Sequence, residues 1–170
     1  MIIALTGFMA SGKTSFGGAA ARRLGWKFLD LDHIIESRYG RIPQIFEEHG
    51  ETFFRDIETR MLREVVSSKE NIILALGGGT ILREENREVM KGSATVIWLN
   101  TAFSIILSEL KNTDRPLVKE KTPQQIEQLY ESRIAIYRQA ADIVVDINDF
   151  DYNKAICSLI QAIEKAKDSK

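Results

Sequence analysis

Gly7-Phe8-Met9-Ala10-Ser11-Gly12-Lys13-Thr14 has glycine, lysine and hydroxyl residues at the spacing Gly-x-x-x-x-Gly-Lys-Ser/Thr, whose chemistry is the capture of a polyphosphate. Glycine at both ends lets the backbone wrap so that successive N–H groups point at phosphate oxygens. Lys13 is spaced to reach the β- and γ-phosphates, and Thr14 to offer a hydroxyl to Mg²⁺. Ala10, Ser11, Gly12 and Ser15 complete the nucleotide-contacting set. Context separates such a loop from a chance glycine-rich turn. Here the apolar run Ile2–Thr6 leads in and a helical pattern at 13–24 leads out, adding its positive N-terminal end. The guanine-reading signature Asn-Lys-x-Asp is missing, since Asn153-Lys154 runs on into Ala155-Ile156. A GTP switch is therefore disfavoured.

A second carboxylate for the metal often follows another apolar strand in such proteins, but Ile72–Leu76 ends in Gly77-Gly78-Gly79. Asp146, after Ile143-Val144-Val145, is one substitute. Asp30-Leu31-Asp32 is a better one: in extended chain the two carboxylates share a face, at a strand end where α/β sheets hold ligands. Asp32 suits the N-cap of the following helix equally well.

Two helical segments aim charge toward their apolar faces. Along 53–66 the stripe Phe54, Ile57, Met61, Leu62 and Val65 encloses Glu58, with Arg55 at its edge. Along 123–140 Arg133 falls among Ile126, Leu129, Tyr130, Ile136 and Tyr137. A carboxylate facing a core is costly unless paired, so either a polar pocket lies between the helices or these are structural ion pairs and snorkelling arginines. Gly77, Gly78 and Gly79 suit a strand end where a ligand touches the main chain.

The elements that must position these residues are short apolar runs alternating with amphipathic segments. Ile2–Thr6, Lys27–Asp30, Ile72–Leu76, Ala94–Leu99 and Ile143–Asp146 read as strands. Helical patterns fall at about 13–24, 32–39, 42–67 (broken near Gly50), 83–91, 102–110, 122–140 and 152–167. Such alternation predicts an α/β sheet covered on both faces. The charge-dense segment Lys111–Lys121, carrying Pro116, is a candidate lid. The 170 residues make one domain, 44% hydrophobic and 28% charged, and a net charge of -1 gives no ground for a nucleic-acid or membrane partner. A lone cysteine, Cys157, excludes a disulfide framework and a thiolate metal cage. His33 and His49 lack zinc-ligand spacing. No run approaches the roughly 20 apolar residues of a membrane span, and no basic leader precedes Ile2, so a cytoplasmic enzyme is expected.

Together these residues resemble the shikimate kinase family along nearly the whole chain. The family pairs a phosphate loop with Asp-x-Asp, then Phe-Arg-x-x-Glu, a Gly-Gly-Gly turn, an Arg-Pro-Leu lid and a late Arg-x-x-x-Tyr. This sequence has Asp30-Leu31-Asp32, Phe54-Arg55-Asp56-Ile57-Glu58, Gly77-Gly78-Gly79, Arg115-Pro116-Leu117 and Arg133-Ile134-Ala135-Ile136-Tyr137 in that order. The resemblance implies a three-layer α/β/α fold of the nucleoside-monophosphate-kinase type, with a five-stranded parallel sheet. It also implies a substrate-binding helical region at about 31–62 and a lid at about 109–121; a monomer is expected. The implied activity is Mg-ATP-dependent phosphorylation of shikimate. Arg55 and Arg133 would hold the shikimate carboxylate, as planar guanidinium groups suit. Asp32 would contact the ring hydroxyls and orient or deprotonate the attacking one, and Glu58 would steady Arg55. Asp30 would reach Mg²⁺ beside Thr14, Gly78 would touch substrate, and Arg115 would close onto the phosphates. Another small-molecule kinase of the fold, such as a gluconate kinase, would leave the two arginines without a purpose. Where the family often carries cationic contacts to adenine, this chain has Ser108 and Phe150. Phe150 is accordingly expected to stack on the base, with modest selectivity for ATP over GTP.

Overall fold

The computed structural model describes residues 1–111, 121–149 and 151–168. Strand β1 (Ile2–Thr6) is buried throughout, which a strand sustains with neighbours on both edges and cover on both faces. Its neighbours are β3 (Ile72–Ala75) and β4 (Thr95–Thr101), both parallel to it. On the outer edges, β2 (Lys27–Asp30) joins β3 and β5 (Ile143–Ile147) joins β4. The sheet is thus five-stranded and wholly parallel, in the order β2-β3-β1-β4-β5, as the alternating pattern predicts.

Side-chain alternation along β1 divides the core into two layers. Ile2 and Ala4 point toward helices α2 (Leu31–Tyr39), α3 (Ile42–Val66) and α6 (Pro123–Ala140), which contribute Ile35, Phe54, Leu62, Ile126 and Tyr137. Ile3 and Leu5 point the other way, toward α1 (Lys13–Leu24) and α7 (Tyr152–Asp168), which contribute Ala20, Ala21, Leu159 and Ile163. Two further short helices, α4 (Glu84–Met90) and α5 (Phe103–Lys111), flank the sheet. α3 is broken at Gly50, whose φ of 81° and ψ of 176° are non-helical, as the sequence predicts.

Register decides what the strands present. Asp30 and Leu5 both stand opposite Ala75, so β2, β3 and β1 end level and side by side. The chain leaving them is Leu31-Asp32, Gly77-Gly78-Gly79 and the phosphate loop. Thr80–Leu82 then forms a 3-10 turn that apolar periodicity does not announce. Among the described residues no helix is long and apolar enough to cross a membrane.

Candidate active site

The phosphate loop needs backbone angles that side chains resist. Gly7 and Gly12 have φ of 149° and 89°, and Ala10 lies in the left-handed region at 59°. A Cβ at Gly12 would meet the Phe16 ring at 2.2 Å, so glycine is required there on steric grounds as well. Lys13 Nζ donates to the carbonyls of Gly7 (2.9 Å) and Phe8 (2.8 Å), which holds the ammonium over the loop. Thr101 Oγ1 donates to the Ser11 carbonyl at 3.0 Å, tying the loop to the end of β4.

Asp30-Leu31-Asp32 is not extended throughout, contrary to the expectation from alternation. β2 stops at Asp30 and α2 begins at Leu31. Asp30, rather than Asp32, is the cap: its Oδ1 accepts from the backbone N–H groups of Asp32 (3.1 Å) and His33 (3.4 Å). The pull of an N-cap carboxylate on orphan helix donors outweighs strand alternation here. Oδ2 of Asp30 remains turned toward the phosphate loop and accepts from Thr14 Oγ1 at 2.8 Å. Asp30 and Asp32 still line one 720 Å³ cavity with Lys13, Thr14 and Gly78, a volume proper to a ligand site. Asp146 is exposed, accepts from Asn100 Nδ2 at 2.7 Å and does not line that cavity.

The inward charges of α3 and α6 converge on the triple glycine. Glu58 is 1% exposed; its Oε2 accepts from Arg55 Nη1 at 2.8 Å and its Oε1 from Thr80 Oγ1 at 2.6 Å. A Cβ at Gly77 would lie 2.7 Å from Asp32 Oδ1 and 3.2 Å from Glu58 Oε1, and one at Gly79 would lie 2.8 Å from Arg55 Nη2. The absence of side chains at 77 and 79 is what lets two carboxylates and a guanidinium close on the turn. Gly78 offers its carbonyl, which accepts from Tyr137 O–H at 2.7 Å and faces Arg133 Nη1 at 3.5 Å. Burial pushes the Tyr137 phenol above its ordinary value, with the nearby Arg133 charge pulling the other way, so the phenol donates at neutral pH. Arg133 lies 5.8 Å over the Phe8 ring and Arg55 5.0 Å over Phe54, apolar supports that fix the guanidinium planes.

Asp32, Arg55, Glu58 and Arg133 therefore surround one turn, although they do not face a single hollow. Arg55 and Gly79 line a separate 420 Å³ cavity with Glu51, Thr52, Leu82 and Arg83. A third hollow, of 150 Å³, adjoins the phosphate loop and is lined by Gly12, Ser15, Phe16, Ile105, Asp149 and Tyr152 among others. Tyr152 packs on Phe16 with ring centroids 5.3 Å apart and donates to the Ser15 carbonyl at 3.1 Å. Neither Tyr152 nor Thr80 belongs to a motif, and nothing in their spacing marks them. Tyr137 stands in the Arg-x-x-x-Tyr motif but reads in sequence as one more apolar position. Arg115, Phe150 and most of the lid segment lie outside the described residues. No group of three or more His, Cys, Asp or Glu side chains among the described residues could hold a metal by itself.

The family model for shikimate kinase matches residues 9–164. The chain is 41% identical over 163 residues to a shikimate kinase of Burkholderia lata, covering 94% of this chain and 88% of that protein. It is 37% identical over 166 residues to one of Dictyoglomus turgidum, covering 95% and 96%. Among solved structures, a shikimate kinase from Acinetobacter baumannii in complex with shikimate aligns with a TM-score of 0.88 at 36% identity, covering 98% of this chain and 94% of that one.

Proposed function

The chain belongs to the shikimate kinase family, and we propose that it transfers the γ-phosphoryl group of ATP to the 3-hydroxyl of shikimate, giving shikimate 3-phosphate and ADP on the route to the aromatic amino acids. The observation that carries this is the closure of Asp32, Glu58 and Arg55 on Gly77–Gly79 beside a complete phosphate loop. It pairs a polyphosphate cradle with a carboxylate-and-guanidinium site a few ångströms away.

In this proposal the loop N–H groups from Ala10 to Ser15 hold the phosphates. Lys13 exchanges its bonds to the Gly7 and Phe8 carbonyls for the β- and γ-oxygens. Asp32 orients the attacking hydroxyl and accepts its proton. Arg55, steadied by Glu58, and Arg133, beside the Gly78 carbonyl, take the substrate carboxylate. Arg115 closes from the lid at about 109–121 onto the phosphates, and the helical region at about 31–62 binds the substrate. Phosphoryl transfer asks little of the protein beyond positioning and charge stabilisation, which these residues supply.

Thr14 and Asp30 fit Mg²⁺. They join a hydroxyl and a carboxylate oxygen at 2.8 Å on the cavity wall, and hard oxygen donors in small number, completed by water and phosphate, are the usual magnesium environment. When bound, the ion would neutralise charge on the phosphates. The base would lie in the 150 Å³ hollow against Phe16 and Tyr152. In this proposal Phe150 stacks on the base. The proposed enzyme is a monomer working on cytoplasmic ATP.

Coupled measurement of ADP release with shikimate, quinate and gluconate tests the assignment. Turnover is expected with shikimate far above the others, and a preference for gluconate would overturn it.

A further inference from the structure

Behind the Arg55–Glu58 pair lies a tier of buried polar groups that cannot touch either ligand. A carboxylate as enclosed as Glu58 needs a partner for each oxygen. Arg55 serves Oε2, and Thr80 serves Oε1 at 2.6 Å. Thr80 is fully buried in the 3-10 turn that follows Gly79, and its carbonyl accepts from Asn86 Nδ2 at 2.8 Å. Asn86, in α4, is fully buried too, yet its Oδ1 has no partner among the described residues. An orphaned buried acceptor costs about 1–3 kcal/mol, a cost set against the bond that Asn86 makes to the buried Thr80 carbonyl. The bond that Asn86 does make fixes the Thr80 carbonyl, and with it the aim of the Thr80 hydroxyl.

We propose that Thr80 and Asn86 are positioning residues for the substrate carboxylate: Asn86 fixes the turn, Thr80 sets the rotation of the Glu58 carboxylate, and Glu58 aims Arg55. The inference rests on Arg55 receiving that carboxylate. The other acidic neighbour of Arg55, Glu51, is largely exposed and stands 3.4 Å away, too long and too wet to fix a guanidinium plane. Control of Arg55 therefore falls to Glu58, whose free oxygen has Thr80 as its anchor. An outer partner of this kind orients a recognition group as surely as one in direct contact. Were the network merely structural, pinning the turn to α3, its loss would lower stability and leave the recognition of shikimate alone.

Three substitutions at Thr80 and one at Asn86 decide between these. Thr80→Val keeps the shape and removes the hydroxyl, Thr80→Ala removes it with less crowding, and Thr80→Ser retains it. Steady-state kinetics on protein shown to be folded by circular dichroism should give a shikimate KM raised about tenfold for Val and Ala, equivalent to about 1.4 kcal/mol. The ATP KM should stay within about twofold, and Ser should behave as wild type, by the same free-energy scale. Asn86→Ala should raise the shikimate KM by roughly threefold, and it carries the test alone if neither hydroxyl-free variant folds. A folded Thr80→Val or Thr80→Ala protein with wild-type shikimate KM overturns the proposal. So does a Ser variant as impaired as Val, an ATP KM rising in step, or an unchanged Asn86→Ala where that variant stands alone. Failure of the wild-type protein to phosphorylate shikimate would instead remove the functional assignment beneath it.

Discussion

Gly79→Ala should damage recognition while sparing the fold. Gly79 has φ of -104° and ψ of -9°, angles that alanine adopts freely, so no backbone strain is introduced. The new Cβ would stand 2.8 Å from Arg55 Nη2, 3.1 Å from Nη1 and 3.2 Å from Cζ. That is about 0.6 Å short of ordinary contact at Nη2, where the 3.4 Å limit applies. The obstructing atoms end a flexible side chain, so the guanidinium moves and the main chain stays. Displacement bends the 2.8 Å bond to Glu58 and turns the fork away from where the proposed substrate carboxylate would lie. Losing one charge-assisted hydrogen bond is worth about 1.5–3 kcal/mol, hence a rise in shikimate KM of roughly 10- to 150-fold. Replacing glycine at an unstrained site returns about 0.4–1 kcal/mol through the unfolded chain, so the melting temperature should barely move.

The assay is paired: thermal melting by circular dichroism, and initial rates with shikimate varied at saturating ATP. Gly78→Ala is the internal control for stability, because a Cβ there meets nothing closer than Met9 N at 3.7 Å. An unchanged shikimate KM in folded Gly79→Ala would refute the assignment of Arg55. A large fall in melting temperature would show that the turn, rather than the side chain, gives way.

Asp32→Asn should lose most of kcat, since a positioned base contributes about 10² to 10⁴ in rate; near-normal turnover in folded protein would remove Asp32 from that role. Tyr137→Phe deletes the donor to the Gly78 carbonyl and should cost about 1 kcal/mol in urea denaturation at neutral pH. Because burial raises the folded phenol above 10.0, the stability tied to its protonated form is complete below that value. It is lost as pH climbs from there through the folded value. Wild type should therefore weaken in alkali more than Tyr137→Phe does, and parallel pH–stability curves would contradict the burial argument.

What could be read from the sequence was whatever rests on period and spacing. Parallel strands flanked by helices follow from apolar runs alternating with amphipathic ones, and Glu58 stood out because a charge broke a periodic stripe. Arg55 was legible as one partner, but the other was not. Thr80 Oγ1 reaches Glu58 only because the chain tightens into a 3-10 turn after Gly79, and residues 22 apart in sequence carry no local signal of each other. Asp30 illustrates competition between local rules: alternation placed two carboxylates on one strand face, but capping claimed the first and began a helix at Leu31. β4 runs past its apolar stretch to Thr101 for a tertiary reason. Asn100 and Thr101 pair with Asp146 and Ile147, and Thr101 also holds the phosphate loop.

The sheet order explains why three glycines stand where they do. With β3 between β2 and β1, whatever leaves β3 must pass between Asp32 on one flank and the phosphate loop on the other. Gly78 sits within 4 Å of Met9 N and of the Gly7 carbonyl by the position its Cβ would take, while the Gly77 position abuts Asp32 Oδ1. A side chain at 77 would displace the Asp32 carboxylate, and one at 79 would displace the Arg55 guanidinium. On the proposed assignment the turn would set the separation between the phosphoryl donor and its acceptor, and near-attack geometry allows only about 3–3.5 Å between reacting atoms. In a site whose chemistry is mostly placement, the residues lacking side chains fix the geometry as firmly as the charged ones that line it.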